Sequence, residues 1–257
     1  MGKTHLIIPD SHCSPDQSNE RWYALNRLIA DREPDVIVDI GDRFDMASLC
    51  SYDKGTQKAE GRRYTEDLAA GHESLEIQQE GLAAINSGRK YKIYNPRKIV
   101  TLGNHEHRIS RAAQEAPELF GFLSVKDLRY EEFGWEFHDF MKPVQVDGVA
   151  YCHYFISGVM GRPIGGEHGA SNVIRKHFTS SVWGHSHVYD YCERTDTFGK
   201  RLQAVNVGCF FEEDYWAGYA GEANKLWRKG ITILNDVEDG TFDLEFISVK
   251  RLKETYL

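Results

Sequence analysis

The amino-acid sequence predicts an α/β fold, and three observations carry the prediction. A short apolar run, an amphipathic segment and a second apolar run follow one another near the N-terminus at βαβ spacing. The second half is a series of β-like runs separated by turns such as Asp147-Gly148 and Asp239-Gly240. Asp-Gly between alternating segments signals hairpins. Finally, residues of metal-ligand type recur at the ends of the expected strands. In parallel α/β sheets those ends form the crevice where ligands bind.

Taken in order, Thr4–Pro9 reads as a strand that ends in Asp10-Ser11-His12. Ser18–Asp31 has helical spacing, with Trp22, Leu25, Leu28 and Ile29 on one face, and Pro34 stops it. Asp35–Ile40 is a second strand and ends in Gly41-Asp42. A helical excursion is expected at about 46–97, its middle (Tyr64–Asn86) polar and helical in period, with Lys and Arg clustered at its ends. Ile99–Leu102 is a third strand and ends in Gly103-Asn104-His105-Glu106, with helical pattern resuming to about Tyr130. Beyond it Val144–Val146, Val149–His153, Ser181–Trp183, Leu202–Val207, Ile231–Leu234 and Phe242–Val249 read as strands. Arg162–Gly169 is a Gly-rich loop and Asn172–Phe178 a short helix. No repeat, low-complexity tract or linker divides residues 1–257, which predicts a single domain.

Composition narrows the functions. A formal charge of -8 gives no general attraction to phosphate polymers, so a long duplex-binding footprint is not expected. No apolar run approaches the length of a membrane span, so no membrane partner is expected. The five cysteines form no C-x-x-C pair and follow no secretory leader, which reads as reduced thiols in a cytoplasmic setting.

The chemistry lies in where the histidines fall. Five expected strand ends deliver two Asp (Asp10, Asp42), one Asn (Asn104) and five His (His12, His105, His153, His185, His187) to one edge. Each piece alone has an ordinary reading: Asp10-x-His12 as a turn with an Asp cap, Gly41-Asp42 as a plain turn, His153 as a satisfied buried histidine. The ordered set is hard to obtain by chance. Carboxylate, imidazole and amide ligands suit borderline to hard divalent ions such as Mn, Fe, Zn or Ni, and the lack of a Cys cluster argues against structural zinc. His5, His72, His138 and His177 lie off these ends and read as ordinary surface or packed residues, while His168 in the Gly-rich loop is a candidate substrate contact.

The series Asp10-x-His12, Gly41-Asp42-x-x-Asp45, Gly103-Asn104-His105-Glu106, His153 and Gly184-His185-x-His187 resembles the calcineurin-like metallophosphoesterases in content and order, over Asp10 to His187. Two details depart from the family's usual pattern: Met46-Ala47 after Asp45, and Cys152-His153-Tyr154 at the fourth motif. The resemblance implies a four-layer α/β sandwich of two mixed β-sheets flanked by helices. It also implies two divalent ions, manganese foremost. Asp10, His12, Asp42 and His187 would hold one; Asp42, Asn104, His153 and His185 would hold the other. His105 would be a catalytic, non-ligand histidine near the leaving group. Glu106 would neighbour it, and Asp45 would support the site from behind.

Such a pair of ions, bridged by Asp42, implies hydrolysis of a phosphate ester. The substrate expected is a phosphodiester at a nucleotide or nucleic-acid end, with Arg108 and Arg162 as candidate substrate contacts. A phosphomonoesterase, including a protein phosphatase, is the alternative, and a non-catalytic scaffold of the same fold a third reading. The aromatic segment Phe210, Phe211, Tyr215, Trp216, Tyr219 is expected to pack rather than to stack on a base, although both uses suit it.

Overall fold

A computed structural model describes residues 2–257. Eleven strands form two mixed sheets. The first contains β1 (Lys3–Ile8), β2 (Val36–Asp39), β3 (Arg97–Thr101), β4 (Glu136–His138), β10 (Gly230–Glu238) and β11 (Thr241–Ser248), in the order β11-β10-β1-β2-β3-β4. The second contains β5 (Val144–Val146), β6 (Val149–Tyr151), β7 (Ser180–Trp183), β8 (Tyr189–Thr195) and β9 (Arg201–Val207), in the order β5-β6-β7-β9-β8. Strands β1 to β4 pair in parallel, as do β6, β7 and β9, while β10, β11, β5 and β8 add antiparallel edges.

The sandwich follows from side-chain alternation. Successive residues of a strand face opposite sides of the sheet. In β1, Leu6 and Ile8 join the cluster under the helices, whereas Ile7 packs with Val149, Val182 and Val205 of the second sheet. In β2, Ile37 turns to the helices and Val36 and Val38 to the other sheet. A strand covered on both faces is a continuous apolar run, which is why Leu6–Ile8, Val36–Val38 and Ile99–Val100 show no polar alternation. Helices α1 (Glu20–Arg32), α2 (Tyr64–Asn86) and α5 (Val249–Tyr256) cover the six-stranded sheet. Helix α4 (Gly169–His177) covers the five-stranded sheet through Ala170, Val173 and Ile174.

Helix α1 buries Trp22, Leu25, Leu28 and Ile29, the face its spacing predicts, and ends at Glu33 in the left-handed region (φ 40°) just before Pro34. Helix α2 occupies the span predicted for it, inside the connection between β2 and β3. The region after β3 departs from expectation. Helix α3 (His107–Glu115) stops well short of Tyr130, because Pro117 disfavours helical backbone at Ala116 and removes a donor. Short 3-10 turns carry the chain onward. Strands β4 and β8 were not anticipated, and all five cysteines are unpaired. His5 is fully buried between the sheets, with Nδ1 2.6 Å from the Tyr151 hydroxyl and Nε2 3.0 Å from Asp147.

Among the described residues, no helix is long and apolar enough to cross a membrane.

Candidate functional site

All the ligand-type residues predicted from the strand ends meet at one edge of the sandwich. Asp10 follows β1, Asp42 follows β2 and Asn104 follows β3; His153 follows β6 and His185 follows β7. Three groups of ligand atoms close to within 4.8 Å: Asp10, His12 and His187; Asp42, His153 and His185; and, joining them, His12, Asp42 and His105. The Asp42 carboxylate lies between the first two. Its Oδ2 is 3.5 Å from His12 Nε2 and 3.3 Å from His153 Nε2. His187 Nε2 stands 3.2 Å from Asp10 Oδ2, and His153 Nε2 stands 3.0 Å from Asn104 Oδ1 and 3.2 Å from His185 Nδ1.

The backbone is strained to bring this about. His12 (φ 40°), Asp42 (φ 54°), His185 (φ 70°) and His187 (φ 61°) all adopt left-handed conformations that non-glycine residues seldom take. Such strain persists where surrounding contacts over-determine it, and it concentrates at functional sites. Two glycines make the approach possible. A Cβ at Gly103 would lie 2.0 Å from Asp42 Oδ1, and one at Gly184 would lie 2.0 Å from Asp10 Oδ1.

Hydrogen bonds set the direction of each ring. His153 Nδ1 donates to the Ile40 carbonyl at 3.0 Å, which turns Nε2 towards Asp42. His12 Nδ1 faces Asp45 Oδ1 at 3.1 Å, and its Nε2, buried inside the cluster, has no hydrogen-bond partner. An imidazole fixed on one nitrogen by an acceptor, with the other nitrogen aimed at oxygen ligands, is the usual form of a metal-binding histidine. The donor set therefore fits divalent ions. The Asp10 carboxylate accepts the His185 N–H at 2.9 Å, linking the first motif to the last.

Charge is concentrated and buried. Burial opposes ionisation of His12, but the adjacent Asp42 and Asp45 carboxylates outweigh it and push the ring up to about 10. Burial likewise opposes the charged form of His153, and the fields of Asp42 and Asp10 raise it to about 9. At His185 the same two carboxylates are outweighed: burial and then the neighbouring His153 lower it to about 4. Asp42 is held well below the carboxylate range, its histidine neighbours overriding burial.

His105 shares a candidate ligand group with His12 and Asp42, but its ring nitrogens have other neighbours. Its Nδ1 is taken by the carbonyl (2.7 Å) and carboxylate (2.9 Å) of Asp45, and its Nε2 lies 3.0 Å from Arg108 Nη2. It is 3.9 Å from Asp42 Oδ2, farther than His12 or His153. Arg108 is itself anchored by the Asp45 and Met46 carbonyls. Glu106 does not attend His105, as its position in the motif implied. Fully buried, it accepts from the backbone N–H groups of Asp42 (2.9 Å), Phe44 (3.0 Å) and Gly103 (2.9 Å), clamping the second and third motifs together. Burial and the Asp42 charge raise it to about 7.

Arg162 and His168 are exposed in the Gly-rich loop and line neither the metal edge nor the cavity beside it. The aromatic segment divides: Phe210 and Phe211 are fully buried, whereas Tyr215 and Tyr219 line open space at the site. Sequence reasoning missed Trp227, whose ring meets His187 edge-on at 4.4 Å between centroids. It also missed Arg43, which is fully buried and bonded to Asp39 and Gln78, with its guanidinium 4.4 Å from the Trp22 ring centre. Placed directly after Asp42, Arg43 ties the second motif to α2.

No family model matches the chain. Its sequence is 26% identical over 243 residues to the gene 54 protein of Mycobacterium phage L5, covering 91% of this chain and 89% of that protein. The gene 54 protein of phage D29 is 25% identical over 245 residues, with the same coverage. Among solved structures, the chain overlaps Yfce, a phosphoesterase from E. coli, at 12% identity and a TM-score of 0.40, covering 96% of this chain and 99% of that one. It overlaps a predicted phosphoesterase from Streptococcus pneumoniae TIGR4 at 10% identity and a TM-score of 0.39, covering 97% and 91%.

Proposed function

We propose that the protein is a dinuclear metal-dependent phosphoesterase of the calcineurin-like kind, acting on a phosphodiester at a nucleotide or nucleic-acid end. The observation that carries this reading is the Asp42 carboxylate, whose Oδ2 faces both His12 and His153 across two ligand groups. Asp10, His12, Asp42 and His187 would hold one ion, and Asp42, Asn104, His153 and His185 the other. Manganese suits this mixture of carboxylate, imidazole and amide, with iron, zinc or nickel as alternatives. Bound there, two divalent ions supply acidity to an attacking water and neutralise charge on phosphoryl oxygens.

The chain's own residues do the rest. His105, with Nδ1–H donating to Asp45, would take a proton from solvent on Nε2 once Arg108 leaves that nitrogen, and pass it to the departing oxygen. Arg108 turns its Nη2 from His105 to a phosphoryl oxygen as substrate arrives. Glu106 keeps the two motif loops in register. A diester is favoured over a monoester because a cavity of about 600 Å³ adjoins the metal edge and leaves room for a second substituent.

The test is elemental analysis after manganese loading, together with hydrolysis of bis-p-nitrophenyl phosphate and p-nitrophenyl phosphate. Two ions per chain and a preference for the diester are expected. One ion per chain, unchanged in Asp42→Asn, would remove the bridging assignment; no turnover of either ester in protein with both ions bound would favour the scaffold.

A further inference from the structure

Beside the metal edge lies a cavity of about 600 Å³, in the range of small-molecule sites. His105 and Tyr219 line both spaces, so the cavity opens directly onto the metal cluster. One wall comes from the segment between β2 and α2, with Tyr52, Lys58 and Arg62. The facing wall is the stretch after β9, with Tyr215 and Tyr219, and Arg108 lies on the α3 side. Tyr52 and Tyr219 are largely exposed, so burial in the core does not explain these rings.

The charges of the lining are informative. Asp53 is paired with Arg62 at 2.7 Å, and Asp45 is engaged by His12 and His105. Lys58 forms no ion pair among the described residues and is exposed, and Arg108 bonds only to carbonyls and to a histidine nitrogen. Three cations against two committed carboxylates leave the cavity suited to an anion, on a protein whose net charge is -8. Aromatic faces next to unengaged cations are the combination that binds a base and its phosphate.

We propose that this cavity is a nucleotide subsite: it holds one nucleotide unit of the substrate, the base against the tyrosines and a second phosphate on Lys58, with Arg108 at the boundary towards the reacting phosphoryl group. This deepens the phosphodiesterase reading and rests on it for the position of the reacting phosphorus. It places the scissile ester at the terminal linkage of a strand or in a dinucleotide. A duplex does not fit the space.

Binding and reaction are separable experimentally. Titration calorimetry of manganese-loaded protein compares a nucleoside 5′-monophosphate, the nucleoside alone and inorganic phosphate; hydrolysis of bis-p-nitrophenyl phosphate is measured alongside. The nucleotide should bind about tenfold or more tightly than either fragment, since a base stacked on a ring contributes at that level. Tyr52→Ala and Lys58→Glu, at exposed positions where folding is not at risk, should each raise the nucleotide Kd several-fold with an unchanged Tm. Equal affinity for nucleotide and inorganic phosphate, or a nucleotide Kd unmoved in the Tyr52→Ala/Lys58→Glu double variant, overturns the subsite even if the ester is hydrolysed. Tight, variant-sensitive nucleotide binding without any ester hydrolysis upholds the subsite and removes the reaction instead.

Discussion

The two sheets bring different chemistry to the same edge. The loops of the six-stranded sheet carry Asp10, His12, Asp42 and Asn104, and so every oxygen ligand. The five-stranded sheet contributes only imidazoles: His153, His185 and His187. Neither sheet holds a balanced set. One side concentrates negative charge that is buried and unfavourable alone, and the other presents rings whose charged forms are, for His185 and His187, suppressed by burial. If the proposed ions bind, a site assembled from halves of opposite character would join the two layers as a fastener as well as host the reaction.

The largest expected effect is on the shared residue. Asp42→Asn should disturb both ions and lower kcat by about 10³-fold or more, since Lewis-acid stabilisation is worth several kcal/mol. His185→Ala, on the other sheet, should remove only one ion. Equal loss of both ions in the two variants would show that the halves are not distinct. Next comes His105→Ala, which should keep both ions and lose about 10²-fold for an alkoxide leaving group, with a much smaller loss for p-nitrophenolate. Parallel dependence on leaving-group pKa in wild type and variant would exclude the proton-donor role.

Chelation tests the fastener. Metal at 100 times its Kd stabilises the folded state by about 2.7 kcal/mol. For a domain of this size that corresponds to a Tm shift of about 5–10 °C. A chelator that leaves the Tm of wild-type protein unmoved would argue that the sheets need no ion to stay joined. The smallest effect concerns protons. In metal-free protein His12 titrates at about 10 and His153 at about 9, so both are protonated at pH 7. Their raised values stabilise the metal-free fold below about pH 6.5, where the unfolded rings are also charged, and that contribution is lost as pH rises through 9 and 10. Metal uptake at pH 7 should release about two protons per chain. Calorimetry in two buffers of different ionisation enthalpy measures the number, and a value of zero would mean that the rings are already neutral.

Much of this was legible in the sequence because it is local. A strand that ends in a ligand needs only a short apolar run and the next few residues, and β1, β2, β3, β6 and β7 all satisfy that pattern. Strand β8 escaped because it is an edge strand whose Cys192 alone is buried, so no apolar alternation marks it. Strand β4 has Phe137 as its one apolar residue, between Glu136 and His138, so no apolar run marks it. The overrun past Glu115 came from following helical pattern through Pro117. What no spacing reveals is partnership at a distance: Trp227 against His187, or Glu106 reaching back to the Asp42 and Phe44 amides. Glu106 was found because it sits in a motif, but its task depends on a loop about sixty residues earlier, at the end of β2.

The connection between β2 and β3 carries a further consequence. Its first residues carry Asp42 and Asp45; beyond them residues 46–96 leave the site and return at Arg97 into the neighbouring parallel strand, and every candidate ligand lies outside that stretch. It is moored from behind, by Arg43 to Ser74 and Gln78 and by Asn26 to the Ile77 carbonyl. The wall that bears Tyr52, Lys58 and Arg62 is therefore held by contacts separate from the candidate ligands, so a substitution in it should change what the cavity accepts without moving Asp42.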